Sequence, residues 1–186
     1  MSREAGASVD RGVGVAGVNY AKRGFSLGAV NYYSRDIVDI FYSEAKLALP
    51  LAGARESKFG AQFSNQKSVG DNLLTGSAFS TRQWGIKGDL DLGAPLLTVA
   101  YTGTNRGANM INPWSAHPGY TSVQVKDFDR AGERAVMFRA EYDFAGHGAA
   151  GLSAYALLVH GSGVKAPDYN NNEVDFNVEW APREGA

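Results

Sequence analysis

Glu173-Val174-Asp175-Phe176-Asn177-Val178-Glu179-Trp180 alternates without a break. Val174, Phe176, Val178 and Trp180 fall on one side of an extended chain; Glu173, Asp175, Asn177 and Glu179 fall on the other. A helix of 3.6 residues per turn would scatter the two sets, whereas a strand separates them cleanly. Arg134–Phe144 repeats the pattern, with Val136, Phe138, Ala140, Tyr142 and Phe144 set against Met137, Arg139, Glu141 and Asp143. Charge makes the pattern informative. Burying Glu141, Asp143, Asp175 and Glu179 in an apolar core would be prohibitively costly. That face must meet water, either outside a soluble sheet or inside a wet lumen.

Working outward from these two segments, period two predicts strands over residues 12–21, 25–33, 38–49, 58–66, 77–90, 96–102, 134–144, 151–160 and 173–180. Phe59, Ala61 and Phe63 oppose Lys58, Gly60, Gln62, Ser64 and Gln66, while Phe41, Ala45, Leu47 and Leu49 oppose Glu44 and Lys46. Residues 77–90 are less regular: Arg82 shares parity with Trp84 and Ile86, so it can point inward only if a bulge shifts the face. Asp36–Leu49 and Ala131–Tyr142 also carry apolar residues at helical spacing, but their Tyr, Phe and Val content favours strands.

The connections alternate in length. Residues 22–24, 51–57, 91–95 and 145–150 make short turns; residues 67–76, 105–133 and 161–172 are longer or more polar, and 34–37 is the short exception in that set. In an up-and-down antiparallel sheet, alternate connections share an edge. One edge carries tight turns and the other elaborate loops, as in outer-membrane barrels. Tyr20, Phe25, Trp84, Tyr142, Phe144 and Trp180 are expected at strand ends beside the short turns, where an aromatic girdle would meet the membrane interface. A structureless connection of about thirty residues is unusual, and such loops are commonly functional. Residues 105–133 can bury Met110, Ile111, Trp114, Tyr120, Val123, Val125 and Phe128, so a packed functional loop is expected there.

Composition narrows the classes. The 186 residues suit one domain, and a net charge of -1 gives no basic face for nucleic acid. There is no cysteine, which excludes disulfides, thiolate metal sites and a cysteine nucleophile. His117, His147 and His160 lack metal-ligand spacing and read as scattered surface residues; no cofactor is expected. No apolar run is long enough for a membrane helix, and Met1-Ser-Arg-Glu-Ala-Gly6 lacks the apolar centre of a signal peptide. Mean hydropathy is slightly polar, but a membrane barrel averages to polar as well.

Several segments carry a family likeness. They are Val30-Asn31-Tyr32-Tyr33, Tyr42-Ser-Glu-Ala-Lys-Leu-Ala-Leu-Pro50, Gly60-Ala-Gln-Phe-Ser64, Ser68-Val-Gly-Asp-Asn-Leu-Leu-Thr-Gly76 and Phe79-Ser-Thr-Arg-Gln-Trp-Gly85. Pro118-Gly-Tyr-Thr-Ser-Val-Gln-Val-Lys-Asp-Phe-Asp-Arg-Ala-Gly-Glu133, Gly151-Leu-Ser-Ala-Tyr155 and Asp175-Phe-Asn-Val-Glu-Trp180 extend it. Together they resemble the OprD family of substrate-specific outer-membrane porins, over residues 12 to 183. The resemblance implies an all-β, antiparallel up-and-down transmembrane β-barrel of about eighteen strands, of which nine would make an incomplete, open part. It further implies integral residence in the bacterial outer membrane, with lipid and small solutes as partners. Association between barrels is left open.

A selective pore needs a narrowed path, opposed charges that replace water around the solute, and binding weak enough for release. The family is described as passing small, mostly carboxylate-bearing solutes along a track of Arg and Lys, with residues 105–133 corresponding to its constriction loop. On that basis Tyr120, Ser122, Asp127 and Arg130 are the constriction candidates, with Asp127 and Arg130 alternatively pairing with each other to pin the loop. Lys46, Arg82 and Arg139 are candidates for the basic track, or plain solvated lumen residues; Glu141, Asp143 and Asp175 form an acidic lumen face. Trp114 and Phe128 are expected to anchor the loop. Two other classes compete. A soluble β-barrel that binds a small ligand would stay in solution without detergent. A barrel hydrolase would need an inward His beside a Ser, and neither that pairing nor a Gly-x-Ser-x-Gly turn is evident.

Overall fold

The computed structural model describes residues 11–114, 118–165 and 169–181; the N-terminal hexapeptide read for a signal peptide and His117 lie outside them. The described chain forms one nine-stranded antiparallel sheet in which every strand pairs with its sequence neighbour. The strands are β1 (Gly14–Lys22), β2 (Phe25–Ser34), β3 (Val38–Leu49), β4 (Glu56–Ser68), β5 (Ser80–Asp91), β6 (Pro95–Thr104), β7 (Arg134–Asp143), β8 (Leu152–Ser162) and β9 (Asn171–Trp180). Both segments with helical spacing are strands, β3 and β7, and the one helical element among the described residues is a 3-10 turn at Ala145–His147.

Local chemistry sets the edges. Between β1 and β2 the two-residue turn Arg23-Gly24 has φ of 43° and 81°. Positive φ at both positions twists a hairpin in the same sense as its strands, so the turn can be tight. The β3–β4, β5–β6 and β7–β8 connections lie on this same short-turn edge. The opposite edge carries the β4–β5 loop and the long β6–β7 loop, Asn105–Glu133.

Register separates the two faces. Glu44, Gln62, Gly85, Thr102, Ala135 and Gly161 are successive ladder partners on one face. On the other, Leu47, Phe59, Gly88, Val99, Phe138, Leu158 and Val174 follow one another across the sheet. The second face is a continuous apolar band left open, with Phe176 79% and Ile86 55% exposed. An apolar surface of that extent marks a membrane or partner interface, which argues against the soluble reading. The buried apolar cluster lies on the first face: Ala100, Ala135, Met137, Leu157 and Val159 pack around Phe128 from the long loop. The sheet is thus apolar outside and filled from inside by its own loop.

The expected aromatic girdle needs one correction. Tyr20, Tyr142 and Trp180 do lie outward near the short-turn edge. Trp84 does not: β5 starts at Ser80, which puts Trp84 near the long-loop end, where its ring meets Tyr101 at 5.1 Å.

Candidate functional site

The long loop folds across the inner face from β2 to β9. The Gln66 amide exchanges two hydrogen bonds with the Ile111 backbone, at 2.8 and 2.9 Å. Thr81 donates to the Ala108 carbonyl at 2.6 Å, and the Thr102 and Thr121 hydroxyls meet at 2.6 Å. Glu173 accepts from the Val125 backbone N–H at 2.8 Å. Phe128 is 3% exposed, and Trp114 stacks on Tyr32 with ring centroids 6.0 Å apart, so both serve as anchors. The docking surface is divided. Around Ala100 of β6 and over β7–β8 it is apolar and tight; over β4–β5 and at Thr102 it is made of Gln, Ser and Thr.

Tyr120 closes the loop onto the wall. Its hydroxyl donates to Glu44 at 2.8 Å, and its ring lies 5.5 Å from the Lys87 ammonium. The notch that receives it exists because residue 60 is glycine: a Cβ there would sit 2.5 Å from the tyrosine oxygen. Burial, and after it the hydrogen bond to Glu44, hold the Tyr120 hydroxyl well above the usual phenol range, so it remains a proton donor.

Below the loop, toward the short-turn edge, an open trough of about 720 Å³ runs along the sheet. Tyr120 and Ser122 line it, together with Lys58, Lys87, Asp89, Arg139, Glu141, Asp143 and Asp175. Lys46 lines an adjoining recess with Lys58 and Lys87. The register puts these charges in rows. One row runs Lys46–Gly60–Lys87–Ala100. The next is Lys58–Asp89–Thr98–Arg139–Leu157–Asp175. The row beyond is Glu56–Asp91–Leu96–Glu141. The row nearest the loop carries Lys46 and Lys87, the middle row mixes Lys58 and Arg139 with Asp89 and Asp175, and the row at the short-turn mouth is acidic.

Each of the four cations is held by an acid two residues away on its own strand, where side chains share a face. Lys46 meets Glu44 at 2.8 Å, Lys58 meets Glu56 at 2.9 Å, Lys87 meets Asp89 at 3.1 Å, and Arg139 meets Glu141. Arg139 also stacks on Tyr155, 4.1 Å from the ring centre. Solvated pairs of this kind contribute little, typically about 0–1 kcal/mol. These cations are therefore loosely held and can exchange their partners at little cost.

The remaining sequence candidates stand elsewhere. Arg82 lies on the outer face, donating from Nε to Asn65 at 3.0 Å; no bulge turns it inward, so it leaves the lumen track. Asp127 accepts a short hydrogen bond from Ser122 inside the loop. Arg130 donates to Glu133 through Nε and NH2 at 3.1 and 2.7 Å and to the Tyr169 carbonyl at 2.9 Å. Its described ion pair is with Glu133, not Asp127, and Glu133 is fully buried. Asp127 and Arg130 thus brace the loop, and neither lines the trough. Half-buried Asp129 beside them is pushed up to about 6, by desolvation first and the nearby Asp127 second. The two described histidines are outside the lumen: His160 meets Asn172 on the outer face, and His147 meets Tyr142 in a turn.

Lys58, Lys87 and Asp89 were not among the sequence candidates. Their parity was readable, since Lys58 alternates with Phe59 and Lys87 with Ile86.

Solved structures share this architecture. Pseudomonas aeruginosa OccK5 (OpdH) matches with a TM-score of 0.79 and 21% identity, over 94% of this chain and 49% of its own. P. aeruginosa OccK2 (OpdF) in complex with glucuronate matches at 0.83 and 19% identity, over 94% and 49%. A BenF-like porin from Pseudomonas fluorescens Pf-5 matches at 0.82 and 19%, over 93% and 46%. The chain spans about half the length of these proteins. No match is found among curated proteins. The profile described as outer membrane porin, OprD family, matches residues 1–185, and the chain belongs to that family.

Proposed function

We propose that this sheet is one wall of a channel for the passive diffusion of small, carboxylate-bearing solutes, amino acids or organic acids among them. The observation that carries the reading is the set of four cations in the two rows beneath Tyr120, each in a loose pair with an acid of its own strand. A carboxylate leaving the constriction would meet Lys46 and Lys87, then Lys58 and Arg139. Arg139 is the strongest single contact, because a guanidinium presents a planar fork to both carboxylate oxygens. The acidic row beyond, with Glu56, Asp91 and Glu141, favours release by repelling the carboxylate once it has passed. Glucuronate, found with OccK2 (OpdF), is a solute of this chemical class. Tyr120 and Ser122 set the width of the path from the loop side.

The sheet has two open edges, β1 and β9, and a lipid-embedded sheet must close on itself. The test therefore uses the closed barrel in planar bilayers or vesicles. Flux of a small carboxylate should exceed that of its uncharged amide by about tenfold or more, and it should saturate. Equal flux for the two solutes would reject the proposal.

A further inference from the structure

The outer face carries charge where a lipid-facing surface should have none. Arg82 and Arg134 both point outward, and both are exposed. Arginine on that face is costly in mid-bilayer and nearly free at the interface. Both residues stand at the long-loop edge, which places them at headgroup level of the leaflet facing the cell exterior.

Their arrangement is compact. Trp84 pairs with Gly103, Gly103 pairs with Arg134, and Arg82 is one outward position above Trp84. Two strands and two residues separate the arginines, or roughly 12 Å between their Cα atoms. Two long side chains can converge across that gap. Trp84 floors the space between them: a Cβ on Gly103 would lie 3.2 Å from the indole, so the ring rests flat on the glycine. Arg82 has one described side-chain partner, the neutral amide of Asn65, and Arg134 has no hydrogen bond or ion pair among the described residues. Lys67, also outward, is by contrast neutralised by Asp39 at 3.4 Å. The short-turn edge differs. Its outward residues include the aromatics Tyr20, Tyr142 and Trp180, with Lys22 the one outward cation on its described strand ends.

We infer that Arg82 and Arg134, over the Trp84 indole, form a site for a phosphate group of the outer leaflet's anionic glycolipid. Guanidinium groups match phosphate oxygens in bidentate fashion, and the indole offers an amphipathic floor for the sugar that carries the phosphate. The site is separate from the lumen, since both arginines face away from it.

The test takes the closed barrel in nonionic detergent and measures lipid retention by native mass spectrometry. Its probes are diphosphorylated lipid A, dephosphorylated lipid A and inorganic phosphate. Wild type should retain the diphosphorylated lipid and not the dephosphorylated one. Arg82→Gln and Arg134→Gln should each weaken retention about fivefold, and the double variant about thirtyfold, following the usual contribution of a cation near an anionic surface. Heat-modifiable gel mobility checks folding; should the double variant not fold, the single variants and the comparison between lipids decide. Equal retention of both lipids would overturn the inference, as would unchanged binding by the variants. Displacement by inorganic phosphate at matched concentration would make this a soluble-anion site and overturn it too.

Discussion

Replacing Gly60 with alanine puts a methyl group where the loop closes onto the wall. The new carbon would lie 2.5 Å from the Tyr120 oxygen, 3.0 Å from Cζ and 3.4 Å from Cε2. Ordinary contact needs about 3.5 Å or more, so the phenol end must retreat by about an ångström. The Tyr120–Glu44 hydrogen bond is 2.8 Å long and has a charged acceptor, a type worth about 1.5–3 kcal/mol. A retreat of that size breaks it. Docking of the middle of the loop should weaken by a factor of about 10–150. The Gln66–Ile111 pair and the Trp114–Tyr32 stack remain, so the loop should fluctuate rather than detach. Single-channel recording of the closed barrel reads this directly. Gly60→Ala should raise open-channel noise and mean current, and Tyr120→Phe, which removes the hydroxyl and keeps the ring, should give a milder version. Records indistinguishable from wild type for both variants would refute the view that Tyr120 latches the constriction.

Other consequences are separable from the latch. Arg130→Ala leaves buried Glu133 without its partner and should cost about 3–5 kcal/mol in urea unfolding, with loss of the loop rather than a selective change in permeant solute. Gly161→Ala would place a carbon 2.3 Å from Glu133 Oε1 and 2.6 Å from Phe128 Cδ1, and should destabilise by about 1–3 kcal/mol, read as a lower midpoint. Asp129 binds its proton more tightly when folded, at about 6 against an ordinary 3.8, so its stabilising contribution is full below the lower value and is lost as pH rises through the upper one. Stability should therefore fall between those limits by about 1–3 kcal/mol on this account, and Asp129→Asn should flatten that part of the pH profile and stabilise at neutral pH. The 186-residue chain alone should aggregate unless its edge strands β1 and β9 find partners, which analytical ultracentrifugation in detergent would detect.

Much of this fold was legible because a membrane barrel writes its two faces at period two. In β7 Arg139, Glu141 and Asp143 face away from Val136, Phe138, Ala140 and Tyr142, and in β9 Glu173, Asp175 and Glu179 face away from Val174, Phe176 and Val178; Arg134, at the long-loop end of β7, is on the apolar face. The same arithmetic left Arg82 outward unless a bulge intervened, and none does. Trp84 was misplaced because Ser77-Ala78-Phe79 continues the apolar pattern in front of β5, hiding where the strand begins. In the loop, Tyr120 and Ser122 were singled out by type and position, and both line the trough, but their contacts were not readable. Tyr120 meets Glu44 across 76 residues, and no local pattern encodes that distance. Arg130 is the local counterpart. Its place on the loop was readable, but its pairing with Glu133 three residues on was not, because only burial makes that pairing strong.

The most direct measurement of the central claim is the permeability ratio of a small carboxylate to its amide, taken with the cationic rows intact and then neutralised. Lys58→Gln, Lys87→Gln and Arg139→Gln combined should reduce the ratio by about tenfold or more and leave amide flux within about twofold of wild type. A ratio unchanged by the triple substitution would contradict the reading of these rows as the carboxylate path.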